Sequence, residues 1–227
     1  EVPSQMLTFA ARQSGSQDAG DLAESPFAAV GDLVLYDIGL FANQVAQAIH
    51  GRGSVGAVMY WLSRINDYAQ CLTTELDLDL RSPWGQKLVV ARRKVSTALE
   101  DVIRKAPNTL ISVFRPCQLP SGADGLAPPA PSELFDAERS MVLLAGCVNF
   151  RNQFSLNEVI SAADAPVKQY LRTISDTIIT DIRAATGKKR DNAMKWMEVA
   201  IRFIRIIFGD EEANQLAHAA KVAAKAA

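Results

Sequence analysis

Apolar residues recur along this chain at spacings of three and four, and the alternating pattern of a half-buried strand is nearly absent. Ser25-Pro26 reads as an N-cap followed by proline at the first helical position, opening a helix to about Ile49. Val30, Val34, Ile38, Phe41, Val45 and Ile49 form its inward face, with Asp32, Asn43 and Gln47 turned away. Gly51-Arg52-Gly53 ends that helix, and Ser54 caps a second one from Val55 to about Leu76. Ser82-Pro83 repeats the start signal for a third helix, Trp84 to about Lys105, with Leu88, Ala91, Val95 and Leu99 inward. Pro107 is expected to terminate it, leaving Asn108–Phe114 as a short helical turn or a brief strand.

Five prolines fall within 116–131, a composition that predicts a linker between two helical halves, 26–115 and 132–227. Beyond it, Ser132 opens a fourth helix through about Phe150, with Leu134, Phe135, Met141, Val142, Ala145 and Val148 inward. Ser155 and Glu158 have the spacing of a capping box, with Phe154 placed to staple onto Val159. Pro166 restarts or kinks the next helix, where Val167, Leu171, Ile174, Ile178 and Ile182 make an unbroken stripe. Gly187 stops that helix, and Lys188-Lys189-Arg190 reads as a basic link to the next.

The segment Asp191–Phe208 inverts the usual amphipathic arrangement. Its charged residues Asp191, Lys195, Glu198, Arg202 and Arg205 fall in one arc of roughly 80° at about 100° per residue. The rest of the cylinder is apolar, so this helix needs cover on about three sides, from its own chain, a partner or lipid. Glu198 and Arg202 have i,i+4 spacing and are expected to pair. Gly209-Asp210 breaks the helix, and an Ala/Lys-rich terminal helix follows. Residues 1–25 read as a polar, largely extended tail, pinned at Met6, Leu7 and Phe9. The pattern as a whole predicts an all-α protein, a compact antiparallel helical bundle or orthogonal array of about six to eight helices in one compact domain, with little or no β structure.

Composition narrows the functions more than the fold. The 24 basic and 25 acidic residues leave a net charge of −1, which argues against binding nucleic acid by counterion release. No run of 18 apolar residues exists to span a bilayer, and the narrow polar arc of Asp191–Phe208 suits a surface-lying membrane helix poorly. The chain begins at Glu1 and not at methionine, which reads as a processed form, secreted or imported into an organelle, or as a fragment; the compartment stays open.

Catalytic and metal-binding patterns are sparse. Cys71, Cys117 and Cys147 have no paired spacing, and with His50 and His218 as the two histidines a zinc site has little support. Cys71 and Cys147 read as core residues and Cys117, in the linker, as the exposed thiol. Asp77 and Asp79 beside Glu75 could meet a hard cation in extended backbone but read more simply as a solvated turn. No catalytic residues, metal or cofactor are therefore expected. An enzymatic reading would draw on Asp32, Tyr36, Asp37 and His50, which share one helix.

Arg52, Gly53 and Ser54 precede a helix in a form compatible with an anion. Arg92, Arg93, Lys188 and Lys189, with the arc of Lys195, Glu198, Arg202 and Arg205, are the candidate partner contacts. The resulting expectation is a non-enzymatic helical module that binds a protein partner or a second copy of itself. A carrier of a small apolar ligand, a lipid or pigment, is the alternative.

Overall fold

The computed structural model describes residues 2–118 and 128–226. Among these residues the regular structure is helical: α1 (Val2–Ser14), α2 (Ala19–Ala23), α3 (Ala28–His50), α4 (Val55–Glu75), α5 (Pro83–Gln118), α6 (Pro131–Cys147), α7 (Asn157–Ala184), α8 (Gly187–Phe208) and α9 (Asp210–Ala226). A 3-10 turn, Val148–Phe150, follows α6. The one extended pairing among the described residues is an isolated bridge between Asp18 and Asp77. The protein is all-α, as the three-and-four spacing predicts.

The chain packs as two compact units, Glu1–Asp101 with Asn149–Asn157, and Val102–Val148 with Glu158–Ala227. The division runs through α5, so residues 102–115 group with the later helices and not with the earlier ones. Of the expected linker, residues 119–127 lie outside the described residues, and Pro116 to Gln118 belong to α5.

In the first unit α3 and α4 form a hairpin against which α1 and α2 pack. The stretch expected to be an extended tail is thus helical. Leu7, Ala10 and Ala11, at helical spacing, are buried, and Thr8 Oγ1 donates to Glu75 Oε2 at 2.8 Å. Burial of that short stripe offsets a propensity too weak to hold a lone 13-residue helix. Asp18 caps α2, its Oδ1 accepting from the amides of Gly20 at 2.6 Å and Asp21 at 3.2 Å. Ser25 does not cap α3 with Pro26 at its first position; its hydroxyl accepts from Phe27 N, and α3 starts two residues later. Ser82 does cap α5: its Oγ accepts from Gly85 N at 3.1 Å, with Pro83 at the first helical position.

In the second unit the core gathers around Phe114, which is fully buried. Its ring centroid lies 5.8 Å from those of Trp196 and Phe203 and 6.3 Å from that of Tyr170. That cluster explains why α5 does not stop at Pro107. Ile103, Ala106, Leu110, Val113 and Phe114 continue one buried stripe across it, and their burial outweighs the roughly 3 kcal/mol an interior proline costs. Asn108–Phe114 is helical, not a strand. The same reasoning carries α7 through Pro166, where Ala163, Val167, Leu171, Ile174, Ile178 and Ile182 are all buried.

Three further details differ from the sequence pattern. The buried stripe of α6 is Leu134, Ala137, Met141 and Leu144, so Phe135 and Val142, about 100° away, are exposed and not inward. The capping box at Ser155 is not formed: Ser155 lies in the left-handed region at φ 55, and α7 begins at Asn157. Lys188 to Arg190 lie in the first turn of α8 and are not a link before it.

Candidate functional site

Helix α3 carries two apolar stripes. One, Val34, Ile38, Val45 and Ile49, is buried in the first unit. The other, Leu33, Tyr36 and Leu40 at spacings of three and four, faces solvent, with Tyr36 68% exposed. Beside it, Val89 and Val90 of α5 are also exposed, Val90 to 64%. Between the two helices lies an open groove of about 1030 Å³, whose apolar walls are Leu33 and Tyr36 on one side and Val90 on the other, over Leu35, Ala42 and Ala91.

Four contacts hold the walls together. A β-carbon on Gly31 would stand 2.1 Å from Cη2 of Trp84, so the indole occupies space that only glycine leaves open. The same indole Nε1 donates to Asp32 Oδ1 at 3.1 Å, and Lys87 Nζ reaches that oxygen at 2.8 Å. Farther along, Lys94 Nζ donates to Asn43 Oδ1. Because 31 and 32 pair with 84 and 87 while 43 pairs with 94, the two helices run in the same direction along the groove.

The electrostatics are uneven across it. Asp32 is compensated by Lys87, whereas Lys94 has only a neutral amide. The segment 86–94 of α5 contains Lys87, Arg92, Arg93 and Lys94 and no acidic residue. Arg92 is half-buried, and desolvation lowers the pKa of its guanidinium. Arg93 is exposed and adds positive charge beside the groove.

Of the residues of an enzymatic reading, Asp32 and Tyr36 both line the groove, while Asp37 is not among its lining residues and His50 lies far along the helix. Asp32 and His50 are separated by 18 positions of one helix, about 27 Å along its axis. Asp32 is engaged by Trp84 and Lys87, Tyr36 lies in the groove, and His50 is the exposed last residue of α3. Among the described residues no three His, Cys, Asp or Glu side chains are grouped to hold a metal ion. Asp77 gives its amide to Gln17 O at 2.8 Å in its bridge with Asp18, and Asp79 Oδ1 accepts from Arg81 N at 2.9 Å in the turn before α5.

The anion candidate lies in the turn between α3 and α4. The amides of Gly51 and Gly53 close back on Gln47 O at 2.8 Å and Ala48 O at 2.7 Å, and Arg52 has φ 56. Ser54 occupies the N-cap position of α4 without a side-chain cap bond.

In the second unit the arc on α8 is exposed at Lys195, Glu198, Arg202 and Arg205. The opposite side, including Trp196, Met197, Ala200, Phe203 and Ile204, is buried. Arg202 does not pair with Glu198 but reaches Glu138 Oε1 on α6 at 2.5 Å, and Arg205 Nε reaches Asp210 at 3.0 Å. Phe208, at the end of α8, packs under the Arg172 guanidinium, 5.1 Å from the ring centroid. Lys188 and Lys189 are exposed in the first turn of α8. Cys117, expected as an exposed thiol, is half-buried on α5; burial and then Asp181 push its pKa up to about 11.

The groove escapes a sequence pattern that assigns α3 one inward stripe. Its signal is nevertheless there, as a second stripe of large apolar residues, Leu33, Tyr36 and Leu40, on the face assigned to solvent. No helix among the described residues is long and apolar enough to cross a membrane. Compared with known protein families, characterised proteins and solved structures, the chain matches none.

Proposed function

We propose that this protein is a non-enzymatic helical interaction module, a subunit, adaptor or scaffold piece of a larger assembly, and that the α3–α5 groove is its principal contact surface. The observation that carries the reading is the solvent-facing stripe Leu33, Tyr36 and Leu40 beside Val90. An isolated exposed apolar residue is ordinary, but a row of them of which Leu33, Tyr36 and Val90 line one groove is the usual form of a docking surface. The arc of Lys195 and Glu198 on α8 is a second, polar contact region. A carrier function is less well supported, because a ligand in so open a groove would be covered on one side, whereas ligand pockets enclose most of their ligand.

Light scattering over a concentration series, paired with a pull-down from native extract, tests the reading. Association, with itself or with a retained protein, that is lost in a Val90→Asp variant supports it. A strict monomer that retains no protein contradicts it. An apolar molecule found in native mass spectra of the purified chain would favour the carrier instead.

A further inference from the structure

We infer that the occupant of the α3–α5 groove is an amphipathic helix from a partner protein, with an acidic edge lying over α5. The inference rests on the interaction-module reading and adds the partner's chemistry. Shape is the first argument. The groove runs beside α3 from Ala29 to Asn43, about 21 Å at the helical rise, which matches about four turns of a docked helix. Leu33 and Tyr36 on the groove wall, with Leu40 exposed one turn beyond them, keep the three-and-four spacing that apolar anchors on a docked helix use.

Charge chooses the partner. The groove's one lining carboxylate among the described residues, Asp32, already accepts from Lys87 and Trp84. Lys94 is bonded to Asn43, and Arg93 has no carboxylate partner among the described residues. The positive charge left along α5 is therefore unmatched from within this unit. A Glu or Asp on the docked helix would give Lys94 an opposite charge to pair with and speed encounter. A second copy docking by the same face brings the same excess of positive charge, so self-pairing is disfavoured there. Nucleic acid would supply negative charge but not an apolar stripe to fill the groove.

The test is a displayed library of amphipathic helices with one fixed leucine stripe and flanks drawn equally from Glu, Lys, Gln and Ala, selected against the intact protein. Retained helices should be enriched in Glu on one flank. They should weaken by at least about tenfold with Val90→Asp or Tyr36→Glu, as for the loss of an interface anchor. Lys94→Glu should shift the selection toward Lys on the same flank. Circular dichroism of each variant checks the fold, and both Val90 and Tyr36 are exposed enough to change without touching the core. Selection of basic or neutral flanks, or binding indifferent to both groove variants, overturns the inference. If no helix is retained and the protein self-associates through the groove, the acidic partner is wrong while the module reading stands. If no helix is retained, the protein stays monomeric and native extract yields no retained protein, both fall; a protein retained from extract would overturn the helical partner alone.

Discussion

The ring of Trp84 fills the space where Gly31 would carry a β-carbon, three of its atoms lying within 2.6 Å of that position. This single contact seats α5 against α3 at the head of the groove, and the indole N–H then fixes Asp32, which in turn holds Lys87. The groove's geometry therefore depends on a residue with no side chain.

Gly31→Ala tests that dependence against an internal control. Alanine normally gains up to about 1 kcal/mol over glycine in a helix interior. At Gly31 the clash with Trp84 should cost about 1–3 kcal/mol and reverse the sign. Gly39, on the same helix, has nothing within 4 Å of the point where a β-carbon would stand, so Gly39→Ala should stabilise. Urea unfolding of the two variants checks both directions, and equal stabilisation would show that Trp84 does not constrain Gly31.

Phe114→Ala should be among the most damaging substitutions in the second unit. Its ring is fully buried against Trp196, Phe203 and Tyr170. Removing a ring from such a site costs about 3–5 kcal/mol. Thermal melting should drop clearly; a melt close to the parent's would mean that the cluster repacks without loss.

Ser155 separates the two accounts of the start of α7. As a capping residue, its replacement by glycine would cost a few tenths of a kcal/mol. With φ at 55, Ser155→Gly should instead stabilise by about 1 kcal/mol, because glycine meets no β-carbon penalty in the left-handed region. Chemical denaturation of the glycine variant decides between the two signs.

Alkaline pH should weaken the fold through two thiols. Burial pushes Cys147 up to about 12, and burial together with Asp181 pushes Cys117 up to about 11. Both thiols ionise at lower pH when unfolded, so above about pH 9 the unfolded chain binds fewer protons and stability falls as pH rises. The contribution is complete below that range and disappears as pH climbs through the folded values. Melting temperatures from pH 8 to 11 should decline less in a Cys117→Ala, Cys147→Ala double variant than in the parent. Parallel declines would assign the effect to other groups.

Much of the fold is legible in the sequence because long helices repeat their apolar spacing many times. The stripe Val167, Leu171, Ile174, Ile178 and Ile182 is buried residue for residue, and the narrow exposed arc of α8 follows its charged positions. What is not legible depends on partners far along the chain. Pro107 is a local stop signal outweighed by the packing of Phe114, and α1 is a short polar-rich segment that becomes helical by packing on α3 and α4. Phe135 is a large apolar residue one position off the buried register of α6, which spacing alone leaves undecided. The groove follows the same logic. Its stripe is visible on α3, but the seating of Trp84 on Gly31 and the Lys87–Asp32 and Lys94–Asn43 contacts are what bring Val90 beside it.

The central claim, that this groove is where the protein meets its partner, is tested most directly by site-specific photo-crosslinking in native extract. A photoreactive benzoylphenylalanine at position 36 should give a discrete protein adduct that disappears when Val90→Asp is added, while the same probe at Phe135 on α6 does not give that adduct. No adduct from position 36, or one unaffected by Val90→Asp, would contradict it.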